Sequence, residues 1–90
     1  MTLRQRFGRN LLLARRQASL TQAEVARRAD LHDSMISLME AGKRLPRSDT
    51  LVKLAAALEV DPCELLHGIE WVPGPSSRAG RFCLRQGPRR

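Results

Sequence analysis

This 90-residue chain predicts an all-α domain of five short helices followed by a short C-terminal β-hairpin. Three observations carry that reading. Apolar residues recur at helical spacing as far as residue 68. Capping residues, glycines and prolines divide that stretch into separate segments. Beyond it, two short segments of β-formers flank the turn-rich run from Pro73 to Gly80. Few aromatics (Phe7, Trp71 and Phe82) amid abundant Leu and Ala also suit helical packing, and a chain of this size buries only a modest core.

The first helix is expected over residues 3–17, where Phe7, Leu11, Ala14 and Ala18 follow one stripe and Leu12 and Leu13 widen it. Thr21-Gln-Ala-Glu24 is a capping box opening the second helix, with Val25, Ala26 and Ala29 as its inner face. Asp30 stands at a sharp turn and is expected in the left-handed region, under some strain. The third helix begins at His32 or Asp33, buries Leu31, Met35, Ile36 and Met39, and stops near Ala41 at Gly42. Lys43 and Arg44 then lie by the negative end of its dipole, and Pro46 blocks continuation. Ser48 is read as the cap of a fourth helix carrying Leu51, Leu54, Ala55 and Leu58. Asp61-Pro62-Cys63-Glu64 opens a short fifth, expected to bury Leu65 and Leu66 and to end at Gly68. Residues 1–68 thus form the helical domain. Residues 69–84 form the hairpin, with Trp71 and Phe82 as its apolar contacts, and residues 85–90 are expected to be a disordered basic tail.

Charge is distributed unevenly. Of the net +7, residues 1–47 carry ten Lys/Arg against four Asp/Glu. Residues 48–75 carry one Lys against five acids, and residues 76–90 carry five Arg and no acid. A one-sided basic surface favours a polyanion, and two short helices across a tight turn make double-stranded DNA the leading partner.

Other function classes find little support. No run of eighteen apolar residues spans a membrane, and no apolar leader opens the chain, so a cytoplasmic protein is expected. Cys63 and Cys83 make no disulfide framework and are read as reduced thiols. Their spacing with His67 matches no compact zinc motif, so neither a metal nor a cofactor is expected. With no catalytic grouping and no glycine-rich phosphate loop, no enzyme is expected and no catalytic residue is assigned.

Taken together, the residues resemble the XRE family, the phage-repressor/Cro-type helix-turn-helix regulators of bacteria and phages. The matching residues are Gly8 and Arg15, then Leu20-Thr-Gln-x-Glu-Val-Ala, then Ile36-Ser37-x-x-Glu40-x-Gly42-Lys-Arg-x-Pro46. Leu51, Leu54, Ala55, Leu58, Val60, Leu65, Leu66 and Gly68 continue the match over about residues 3–68. The resemblance implies a phage-repressor-like five-helix fold whose third helix enters the major groove. It implies Thr21 and Gln22 as phosphate anchors, with Gln22 in reach of a base edge. It places His32, Asp33, Ser34, Ser37 and Leu38 where bases are read, and Lys43, Arg44 and Arg47 where the DNA backbone is clamped. Arg15 and Glu40 match a structural ion pair tying the first helix to the third. Three departures stand out: His32 where Ser or Thr usually caps, Asp33 where amides or cations are common, and Glu59 in place of a turn glycine.

The function implied is a sequence-specific transcriptional regulator, in its simplest form a repressor binding a palindromic operator as a homodimer. The alternative is an antitoxin or interaction module whose hairpin binds an unidentified protein partner. For Trp71 and Phe82 two arrangements stay open: pairing with a second copy across a two-fold axis as a dimerisation element, or folding back on the helices of the same subunit.

Overall fold

In a computed structural model, which describes residues 1–75 and 79–86, the order is five helices and then two strands. They are α1 (Leu3–Gln17), α2 (Gln22–Ala29), α3 (Asp33–Glu40), α4 (Ser48–Leu58), α5 (Pro62–Leu65), β1 (Ile69–Val72) and β2 (Arg81–Leu84). Most of the tail expected to be disordered, residues 87–90, lies outside the described residues.

Helix starts follow local chemistry. Thr21 Oγ1 accepts from the Glu24 amide at 3.1 Å, while Glu24 Oε1 accepts from the Thr21 amide at 2.9 Å. An equivalent box, Thr2 with Gln5, opens α1 and has the same spacing, Thr2-x-x-Gln5. Elsewhere the expected caps differ. Arg47, not Ser48, is the N-cap of α4, so Ser48 is its first helical residue. Asp61 does precede Pro62, but its side chain makes no capping bond.

Four helices end alike. Leu20, Leu31, Lys43 and Val60 each donate their amide to the carbonyl five residues back, on Arg15, Ala26, Leu38 and Ala55. This is the Schellman closure, and it requires a left-handed residue just before the donor. Ser19, Asp30, Gly42 and Glu59 fill that place with φ of 58°, 56°, 75° and 57°. Three of the donors (Leu20, Leu31 and Val60) are apolar and pack on the core. That contact compensates the left-handed strain of the three non-glycine residues, about 1–2 kcal/mol each.

Phe7, Leu11, Val25, Ile36, Met39, Leu54 and Leu65 are fully buried, one or more from each helix. Burying such a side chain is worth about 1.5–3 kcal/mol. α1 and α2 both pack on α3, α4 packs on α2, and α5 on α1 and α4. Gly8 lets α1 come close, because a Cβ there would strike the carbonyl oxygens of Met39 and Glu40. The apolar stripe of α1 is narrower than expected: Leu12 is half-buried, but Leu13 and Ala18 are exposed. Leu66 is also exposed, at 40%, because α5 stops at Leu65 and the chain turns toward β1.

The hairpin is antiparallel, pairing Ile69 with Leu84, Glu70 with Cys83, Trp71 with Phe82 and Val72 with Arg81. Its base is tied to α1. Asn10 Nδ2 donates to Leu65 O and His67 O, each at 3.0 Å. The buried Arg6 guanidinium donates to Arg85 O, while the Arg85 amide donates to Gly68 O at 2.7 Å. Arg85 also pairs with Glu70 at 3.0 Å. Arg85, expected in the disordered tail, is therefore held in place, because it closes the hairpin base.

Candidate nucleic-acid interface

The outer surface of α2 and α3 is built from both ends. The capping box uses the amides of Thr21 and Glu24. The amides of Gln22 and Ala23, in the first turn of α2, have no acceptor within the helix. They carry the positive end of the helix dipole, which suits an anion. The Thr21 amide, then the Thr21 side chain, holds the Glu24 carboxyl below the usual glutamate range, so the box is ionised at neutral pH.

On α3 the inward residues are Ile36 and Met39, buried, with Met35 half-buried. The outward stripe is Asp33, Ser34, Ser37, Leu38 and Ala41, all exposed and spaced i, i+1, i+4, i+5 and i+8. His32 precedes it as an exposed N-cap whose side chain makes no capping bond. The left-handed turn at Asp30 aims this helix: it lets Leu31 bond back to Ala26 at 2.8 Å and pack its half-buried side chain on the core, while His32 and Asp33 emerge to solvent.

Between the two helices lies an open groove of about 620 Å³ lined by Arg15, Ser19, Leu20, Thr21, Gln22, Ala23, Asp33, Ser34 and Ser37. The start of α2 thus shares one space with Asp33, Ser34 and Ser37 of the stripe. Ser19 and Ala23, not among the expected site residues, line it too. Their small size beside a capping Thr is the only sequence signal for them.

Behind the groove sits an ion pair. Arg15 Nε and Nη2 donate to the two carboxylate oxygens of Glu40 at 2.6 and 3.0 Å, and Arg15 Nη1 donates to Leu20 O at 3.0 Å. The Arg15 and Glu40 side chains are 15% and 7% exposed. The hydrogen bond to Glu40 raises the Arg15 pKa above the ordinary arginine value, partly opposed by burial. Gln22 is drawn into this network, its Nε2 donating to Glu40 Oε1 at 3.0 Å. One of its two N–H donors is therefore used, which leaves the second donor and the carbonyl oxygen for another partner.

Lys43, Arg44 and Arg47 follow α3 and are exposed. Arg47 pairs only loosely with Asp49, at 3.7 Å with the arginine side chain 86% exposed. Trp71 and Phe82 lie on the hairpin, outside this surface. Among the described residues no three His, Cys, Asp or Glu side chains group as a metal site, Cys63 and Cys83 are free, and no helix is long and apolar enough to cross a membrane.

Known proteins share this sequence pattern and fold. The helix-turn-helix family profile matches residues 11–65. The uncharacterized HTH-type transcriptional regulator y4dJ of Sinorhizobium fredii is 37% identical over 73 residues, spanning 81% of this chain and 95% of that protein. Among solved structures, the restriction-modification controller protein C.AhdI of Aeromonas hydrophila superposes with a TM-score of 0.67 at 32% identity, over 69% of this chain and 94% of that one. The DNA-binding domain of the P22 c2 repressor superposes with a TM-score of 0.68 at 26% identity, over 76% of this chain and 88% of that one.

Proposed function

The chain belongs to the XRE-type helix-turn-helix family of DNA-binding transcriptional regulators, and on that premise we propose that it is a repressor binding a palindromic operator as a homodimer, with α3 in the major groove. One observation carries the reading: Asp33, Ser34 and Ser37 of α3 line the same groove as Thr21, Gln22 and Ala23 at the start of α2. A phosphate docked at Thr21 and the Gln22 and Ala23 amides holds α3 in register, and the stripe then meets base edges.

The chemistry of the stripe narrows what is read. It offers no Arg, Lys, Asn or Gln, the side chains that pair bidentately with guanine or adenine. Asp33 accepts only, which fits cytosine N4, and Leu38 fits a thymine methyl. Lys43, Arg44 and Arg47 contact the backbone. Two copies then neutralise about six phosphates, for a salt slope of about −5 in log K against log [salt]. The repressor role rests on simple occlusion: a dimer seated on a promoter excludes polymerase. Such a protein works in the cytoplasm.

Selection of bound duplexes from a random pool, followed by gel shifts from 50 to 200 mM salt, tests this. One inverted repeat with half-sites about 34 Å apart is expected, with affinity dropping on the order of a thousandfold across that range. Equal binding to all duplexes overturns the proposal.

A further inference from the structure

A cavity of about 200 Å³ opens where α1, the residues after α5 and the exit from β2 meet. Arg6, Arg9 and Asn10 of α1 line it, together with His67 and Gln86. The three α1 residues recur at i, i+3 and i+4, on one face of that helix. No Asp or Glu lines the cavity; Glu64 belongs to an adjoining groove that shares Asn10 and His67. The cavity has no lining residue in common with the groove between α2 and α3.

Arg6 sets this cavity apart. The residue is only 8% exposed, yet it pairs with no carboxylate among the described residues. Arginine is almost never so buried without such a partner. Its seat depends on Gly68, at φ 79°, because a Cβ there would come within 2.7 Å of Arg6 Cζ. A guanidinium has five N–H donors, and the bond from Arg6 Nη2 to Arg85 O uses one. No buried side-chain polar atom among the described residues lacks a partner. The remaining Arg6 donors therefore reach solvent, and the cavity is where Arg6 meets it.

Nearby charge adds to the imbalance. Arg9 is exposed, pairs with no carboxylate among the described residues, and stands about one turn from Arg6, where like charges repel. The first turn of α1 holds no acid, so nothing there offsets the positive end of its dipole. Other polar groups are already engaged. Asn10 Nδ2 donates to Leu65 O and His67 O, and the Arg85 guanidinium pairs with Glu70.

We propose that this cavity binds a small phosphate dianion between the Arg6 and Arg9 guanidiniums. Guanidinium forks match phosphate oxygens, and two cations match two negative charges. Size limits the ligand. The cavity is smaller than the ~300–1,000 Å³ of sites for drug-sized molecules, so it takes the phosphate group itself, free or at the end of a small monoester. A duplex phosphate fits less well, because Arg6 is recessed and the backbone brings the bulk of the double helix with it. The bound anion relieves the repulsion between Arg6 and Arg9 and braces the hairpin base that Arg6 already holds.

Calorimetric titration of the full chain with inorganic phosphate, and separately with glycerol 3-phosphate, tests this. Ionic strength is held constant with chloride, and the pH is about 8, above the second phosphate pKa of about 6 in a monoester. One saturable site per chain is expected. Arg9→Gln, an exposed change that leaves the core intact, should weaken binding at least about tenfold, as loss of one charge-assisted hydrogen bond implies. Arg6→Gln should abolish binding, with far-UV circular dichroism reporting on the fold. Lys53→Gln, which removes one exposed charge from α4, should change nothing. Tighter binding of the ester names a monoester as the ligand, and equal or weaker binding names free phosphate. No saturable site, unchanged affinity in Arg9→Gln, an equal loss in Lys53→Gln, or acetate bound as tightly as phosphate overturns the proposal. So does a DNA duplex that displaces the phosphate one for one, which assigns the cavity to the DNA backbone.

Discussion

Replacing Glu40 by Leu tests the ion pair between α1 and α3. The carboxylate accepts two bonds from Arg15 and one from Gln22, and its side chain is only 7% exposed. In Glu40→Leu the Arg15 guanidinium, 15% exposed, keeps only its bond to Leu20 O. A buried charge stripped of its counter-ion costs about 3–5 kcal/mol. Against a total stability of about 5–15 kcal/mol this is a large share. At about 4–8 °C per kcal/mol for a domain of this size, the midpoint should fall by at least ~12 °C. Arg15→Met with Glu40→Leu removes both charges and fills the volume, so most of the loss should return. Urea unfolding by far-UV circular dichroism measures all four corners of the cycle. A single-variant cost under ~1 kcal/mol, or simple additivity, refutes the reasoning. Arg15 also lines the groove, so DNA binding retained by the folded double variant would mark the pair as structural. Failure to bind would instead assign the pair, or the Gln22 it orients, to recognition.

Three further outcomes follow from the geometry. Arg44→Ala should weaken binding to all sequences alike and lower the salt slope by about 1 per half-site in gel shifts, without moving the melting temperature. Glu59→Gly should relieve the left-handed strain at φ 57° and stabilise the fold by about 0.5–1 kcal/mol, a rise of several degrees by thermal unfolding. For Glu24 the folded-state pKa lies below the unfolded one, so its contribution is full above the ordinary glutamate pKa of about 4.3 and is lost as pH falls through the lowered value. Melting temperatures of the parent and of Glu24→Gln should therefore converge as pH falls below about 4.3 and through the lowered value, and a gap that never closes would refute a charge-dependent cap.

Local chemistry made most of the fold legible. The Thr21 box, the Asp30 turn, the Gly42 stop and the alternating strands each act within a few residues, so spacing alone locates them. The limits have equally physical causes. Leu13 and Leu66 are as apolar as the core residues, and only the paths of α5 and the hairpin leave them exposed. Ser48 has the chemistry of a cap, but the loop after Pro46 delivers Arg47 to that position instead.

The same division holds at the candidate site. Sequence by itself determined the family, the helix order and the outward stripe from His32 to Leu38, because helical period and capping depend on neighbours in the chain. Tertiary structure alone decided that Gln22 turns its amide nitrogen inward to Glu40, that Ser19 and Ala23 share the groove, and that Arg6 and Asn10 of α1 bond the backbone of Arg85, Leu65 and His67. Each of those contacts joins residues distant in sequence or set by the angle between two helices. Packing determines such contacts, and no local pattern encodes them.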